Sequence, residues 1–147
     1  MVATVAVMQK FLVAFFGILC AGVAFATPAR VDYIVDGDTF GATVMLNGDI
    51  RVPVRVRIRD IDTPEIHGKC AAERERAAVA RARLGEILPP GSIVELTNIK
   101  DDKYLGRIDA NVADARGGDV SANMVRAGLA RRYNGGKRAG WCSSSSR

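Results

Sequence analysis

Residues 54–65 read "VRVRIRDIDTPE". Strand alternation puts Val54, Val56 and Ile58 on one face and Arg55, Arg57 and Arg59 on the other. A half-buried strand with a solvated arginine face accounts for that first half. Ile61 is apolar yet falls on the arginine phase, so the alternation slips near Asp60. A bulge or strand end there would re-aim the side chains that follow, Asp62, Thr63, Pro64 and Glu65. Taken alone, Asp-Thr-Pro is an ordinary turn. A second acidic turn, Asp36-Gly37-Asp38-Thr39, lies at the far end of the preceding hairpin. Two acidic turns on connected strands can converge on one hard cation, which takes oxygen ligands.

Outward from this stretch, the pattern predicts strands at 31–35, 40–46 and 50–59, with Asn47-Gly48 as a two-residue hairpin turn. Pro53 inside the third strand implies an edge or a bulge. A helix is expected over 71–88, with Ala77, Ala80, Leu84 and Ile87 on one face, ended by Pro89-Pro90-Gly91. A fourth strand follows at 93–96 and a fifth at 107–112, where Ile108, Ala110 and Val112 alternate with Arg107, Asp109 and Asn111. Ser121 can cap a short helix that runs to Ala130. Three strands, a helix, two strands and a helix suit an α+β protein. A five-stranded OB-fold barrel with one long helix and at least one short helix packed on it has this order. Periodicity alone leaves other small α+β folds open.

Before the first strand, Lys10 is the single charge ahead of an apolar run from Phe11 to Phe25, and Ala24-Phe25-Ala26 offers small residues where a signal peptidase reads. A signal peptide over 1–26, cleaved after Ala26, is expected, and with it a secreted or periplasmic protein that meets the membrane only during export. Translation could start at Met1 or at Met8. The run is short for a membrane anchor, and Leu19 before Cys20 disfavours lipidation. About 121 residues would remain, one domain by length. Residues 27–142 are expected to form it, with a disordered tail at 143–147.

The chain carries 21 Lys and Arg against 16 Asp and Glu, a mild hint of anionic partners. After Asp119 there is no acid, while Arg126, Arg131, Arg132, Lys137, Arg138 and Arg147 follow. That end is either a solvated basic tail or a phosphate-facing patch with Tyr133 and Trp141 available to stack on bases. Without the signal, Cys70 and Cys142 are the remaining cysteines. In an oxidising compartment a single pair invites one disulfide, and two free thiols are the alternative. Two cysteines and His67, the one histidine, cannot complete a four-ligand zinc site. His67 reads as a loop residue.

Three segments, "VDGDT" at 35–39, "RIRDIDTPE" at 57–65 and "DKYLGR" at 102–107, resemble in order and spacing the signature segments of staphylococcal-nuclease-like proteins, the thermonuclease family. "MVRAGLARRY" at 124–133 is similar to the helix segment after that family's barrel. The resemblance covers residues 31–133. It implies an OB-fold barrel and a calcium-dependent phosphodiesterase that cleaves DNA and RNA. Asp38 and Asp62 would supply carboxylates to Ca2+ and Thr63 its carbonyl. Glu65 would act on the attacking water, and Arg57 and Arg107 would grip the scissile phosphate. Lys103 and Tyr104 would lie on the substrate side, as would Tyr133, whose alignment slips by about one residue. A monomer without a stable protein partner is expected.

These roles also make physical sense. A phosphodiester repels anionic nucleophiles, and its transition state gains negative charge that a cation and two fixed guanidiniums can stabilise. The rival reading is a non-catalytic OB-fold nucleic-acid-binding protein. A more distant one is a disulfide-stapled barrel that binds another anionic polymer. The retention of Asp38, Asp62, Glu65, Arg57 and Arg107 favours the enzyme. Two departures stand out. Leu105 is inserted before the glycine of "DKYLGR", and Asp109 stands where many relatives carry an aliphatic residue.

Overall fold

The computed structural model describes residues 25–47 and 49–142. The expected signal peptide, apart from Phe25 and Ala26, and the expected tail at 143–147 lie outside the described residues. Strands β1 (Thr27–Ile34), β2 (Thr39–Leu46), β3 (Ile50–Ile58), β5 (Ile93–Asp101) and β6 (Arg107–Ala113) close a barrel in the order β1-β2-β3-β6-β5. β3 and β6 run parallel, and the other barrel pairs are antiparallel. Helix α1 (Ala71–Ile87) leads from the barrel's first three strands to its last two, and helix α2 (Val120–Arg126) follows the last. This is an OB-fold, as the order of elements leads one to expect.

Alternation fills the barrel. Val31, Phe40, Ala42, Val56, Ile58, Val94, Leu96, Ala110 and Val112 are buried at every second strand position. Ala77, Ala80 and Leu84 of α1 are buried as well, while Ile87 is partly so. Pro53 is tolerated for a simple reason. The Arg55 nitrogen donates to the Gly106 carbonyl at 2.9 Å, whereas the β3–β6 pairing starts only at Arg55. The nitrogen of Pro53, on the same side of the strand, points past the end of β6 and has no bond to lose.

Several expected boundaries shift. β1 begins at Thr27, because Pro28 sits at the strand's start, where its missing N–H is cheap. β5 continues to Asp101 rather than stopping at Leu96. The pairing slips between Thr97 and Lys100, with Asn98 at φ 51, and this bulge hides the alternation. α2 is capped by Asp119, whose carboxylate accepts from the Ala122 nitrogen at 3.1 Å, not by Ser121, whose hydroxyl donates to Asp119. The helix ends at Arg126, short of Ala130, followed by Gly128 at φ 72.

The slip at Asp60 proves to be a break. Asp60 takes φ 63, a left-handed conformation, between the end of β3 and a two-residue strand β4 (Ile61–Asp62). β4 pairs with β7 (Arg131–Arg132), Ile61 opposite Arg132 and Asp62 opposite Arg131. Sequence reasoning did not foresee this small second sheet. It ties the acidic turn after β3 to the chain's basic end.

Candidate functional site

The turn between β1 and β2 is packed hard against its surroundings. A Cβ on Gly37 would lie 2.7 Å from the Ala80 Cβ and 3.1 Å from Thr63, so only glycine lets the two acidic turns approach this closely. The Ile58 nitrogen donates to the Asp38 carbonyl at 2.8 Å, fastening the same turn to the end of β3. Asp38, Asp62 and Thr63 are all buried.

Each buried carboxylate divides its oxygens between a neutral donor and a cation. Asp38 Oδ1 accepts from the Thr39 hydroxyl at 2.8 Å, and its Oδ2 faces Arg57 Nη1 at 2.7 Å. Asp62 Oδ2 accepts from Trp141 Nε1 at 2.9 Å, and its Oδ1 faces Arg138 Nε at 3.1 Å. Asp38 Oδ2 and Asp62 Oδ1 are buried in ion pairs without an aligned hydrogen bond. Arg138 also reaches Glu65 Oε1 through Nη1. Partial burial weakens the Arg138 charge, but the hydrogen bond to Glu65 and the charges of Asp62, Glu65 and Asp38 outweigh it and raise its pKa. Asp36, in the same turn as Asp38, is pushed up to about 7 by burial and then by the charges of Asp38 and Glu65. Carboxylates are thus crowded here beyond what the two arginines neutralise.

Beside these acids lies a groove of about 1180 Å³, lined by Arg55, Arg57, Glu65, Lys103, Tyr104, Arg107, Asp109, Tyr133 and Arg138 among others. The parallel register puts Arg55 beside Arg107 and Arg57 beside Asp109 on adjoining strands. Arg107 donates through Nε to Asp102 at 2.5 Å, and its guanidinium lies 4.4 Å from the centre of the Tyr104 ring. Burial would raise the Asp102 carboxyl, but the Arg107 hydrogen bond, that from the Tyr104 nitrogen and the Arg107 charge hold it below its usual value. Asp109 goes the other way, raised by burial and by Asp102 against the pull of Arg57 and Arg107. Its carboxylate faces the groove, and Leu105 stands fully exposed at the β5–β6 turn without displacing Arg107 from the groove wall.

Every expected site residue is therefore placed. Arg57, Glu65, Arg107, Lys103, Tyr104 and Tyr133 line one groove, and Asp38 and Asp62 touch it through Arg57 and Arg138. Of the three arginines in the opening stretch, Arg55 and Arg57 face the groove, while Arg59 donates to the Asn98 carbonyl at 3.1 Å. His67 is exposed and lines a smaller cavity of about 320 Å³ with Asp62, Thr63, Glu65, Arg138 and Trp141. Cys70 and Cys142 are bonded, with a Cα separation of 6.0 Å.

The basic end was only partly legible. Arg131 stacks on Trp141 at 3.5 Å from the ring centre, and Tyr133 donates its hydroxyl to the Gly136 carbonyl at 2.6 Å. Trp141 and Arg138 meet acids rather than open solvent. Glu73 was missed altogether. It is buried in the first turn of α1 and accepts from the Lys69 nitrogen at 3.0 Å, fixing the loop that begins at Glu65. Glu73 sits on the helix face of Ala77 and Ala80, which was the available signal.

The donor set fits a hard cation such as calcium. Two buried carboxylates each hold an oxygen that lacks an aligned hydrogen bond, and Thr63 adds a neighbouring carbonyl. Among the described residues, one trio of ligating side chains has all its donor atoms within 4.8 Å, namely Cys70, Glu73 and Cys142, and the disulfide takes both sulfurs.

An OB-fold barrel whose groove sets arginines and a lysine among carboxylates has the architecture of a class of proteins that commonly bind oligonucleotides or oligosaccharides. The chain belongs to the staphylococcal nuclease homologue family, whose family model matches residues 55–140. That match covers Arg57, Arg107, Asp62, Thr63 and Glu65, and extends through Arg138, while the turn of Asp38 precedes it. Family membership points to a nuclease, a phosphodiesterase acting on nucleic acid, and members of this family typically use calcium. No curated protein matches the chain significantly.

Proposed function

We propose that the protein is an exported nuclease, secreted or periplasmic, which hydrolyses the phosphodiester bonds of DNA and RNA and depends on calcium. The observation that carries this reading is the convergence of Arg57, Arg107 and Glu65 on one groove in direct contact with buried acids. Asp38, Asp62 and the Thr63 carbonyl would hold the ion, and calcium bound there supplies charge neutralisation at a phosphate oxygen.

The other roles follow from the side chains themselves. Arg57 and Arg107 enter from neighbouring parallel strands and keep their charge at any working pH. Arg107 is held by Asp102, which is not among the proposed cation ligands, so that guanidinium needs little reorganisation when a phosphate arrives. Glu65, half exposed at the groove, accepts the proton of the attacking water or orients it as the water oxygen bonds to phosphorus and the ester P–O bond breaks. Tyr104 and Tyr133 offer ring faces to bases, and Lys103 adds a cation for a flanking phosphate.

Cleavage of denatured DNA by the purified protein should require calcium on the order of millimolar and cease with a chelator. Glu65→Gln should lower kcat by about 10²- to 10⁴-fold while oligonucleotide binding persists. Full activity in that variant would remove Glu65 from the mechanism. Equal cleavage in chelator would remove the metal.

A further inference from the structure

Residues 133–142 cross the site as a strap. At one end the Tyr133 nitrogen donates to the Asp60 carbonyl at 3.0 Å, and at the other Cys142 is bonded to Cys70 at the start of α1. Between them Trp141 is pinned twice, by its hydrogen bond to Asp62 and by the Arg131 guanidinium stacked on its ring. With both ends fixed, Arg138 has a short reach. Its Nε lies 3.1 Å from Asp62 Oδ1 and its Nη1 is on Glu65 Oε1, so one guanidinium spans two carboxylates.

We propose that Arg138 is a built-in competitor of the cation, a tethered positive charge that holds Asp62 and Glu65 until a divalent ion displaces it. The inference rests on the reading of Asp62 as a cation ligand. It goes further by assigning the strap a function. A divalent ion and a guanidinium cannot share the same carboxylate oxygens without strong repulsion, so each must weaken the other's hold. A monovalent guanidinium keeps the crowded acids compensated without binding them so tightly that calcium cannot enter. Because Arg138 also lines the groove, its displacement delivers a further guanidinium to the side from which the nucleic acid enters. Cation binding and the charge of the groove are thereby coupled through one side chain.

The test reads binding, not cleavage. Trp141, the one tryptophan of the chain, donates to Asp62 and can sensitise terbium luminescence at this position. Terbium titration of the full chain, checked by calorimetry with calcium, is compared with R138A, R138Q and R138K. Charge-assisted contacts are worth a factor on the order of ten in an equilibrium constant. Without nucleic acid, R138A and R138Q should therefore bind the ion about tenfold more tightly, with R138K between them and the parent. R138Q repeats the test if truncation unfolds the strap. Calcium should also speed amide hydrogen exchange across residues 135–140 in the parent. Unchanged or weaker ion binding in both neutral variants overturns the competition while leaving the cation site standing. Absence of ion binding in every protein removes the cation reading and the competition together.

Discussion

Asp109 lies between the two arginines that would hold the phosphate, and its charge opposes theirs. Asp109→Asn should tighten oligonucleotide binding by roughly three- to tenfold, the size of about 1 kcal/mol of like-charge repulsion at a partly exposed site. Titration of a Glu65→Gln background with a single-stranded probe checks it, and weaker binding would show that Asp109 positions the arginines instead. Asp36 gives a pH signature. Its folded pKa of about 7 exceeds the ordinary value of 3.8, so the folded state holds a proton that the unfolded chain has released. The stability it contributes is fully present below pH 3.8 and is lost as pH rises towards 7. In chelator, urea unfolding should therefore show stability falling across that window, and Asp36→Asn should flatten the fall. A slope unchanged in the variant would assign the titration elsewhere.

Among the elements, the long ones were readable and the short ones were not. β2, β3, β6 and α1 announce themselves because alternation or a helical face persists over at least seven residues in each. β5 beyond Leu96 was hidden by the bulge at Asn98, and β4 and β7, two residues each, are too brief for any period. Their pairing nevertheless decides where the basic end goes. "Solvated tail" and "phosphate-facing patch" were both reasonable readings of Arg131 and Arg138, yet neither could foresee that Asp62 and Glu65 claim Arg138. The positions of Asp38, Asp62, Arg57 and Arg107, by contrast, could be picked out from three motifs in order, and the structure brings them around one groove. The disulfide is the element-scale test of the strap. It closes a separation of 72 residues, for which the chain-entropy account gives about 4 kcal/mol. Replacing both cysteines by serine should cost up to that amount in urea unfolding, and a loss near zero would mean that β4–β7 pairing and Trp141 alone secure the strap.

For the molecule as a whole, net charge is a weak guide to affinity because the groove gathers acids as well as bases. The groove cations proposed to meet phosphate are Arg57, Arg107, Lys103 and, once displaced, Arg138. Three to four phosphate contacts on a single strand imply that log K falls against log salt with a slope of about −2 to −3. Chelator should make the slope shallower if Arg138 then stays on its carboxylates, and a slope near zero would argue against phosphate as the main anchor.

The barrel's closure has a temporal side. Asp38 belongs to the first hairpin, Glu65 to the loop before α1, Arg107 to the last barrel strand and Trp141 to the strap beyond it, so no contiguous portion of the chain holds a working set. β3 must wait for β6 before Arg57 and Arg107 share one groove wall. On the proposal of an exported nuclease, a polypeptide still threading outward, N-terminus first, would carry the acids and arginines without the groove that unites them.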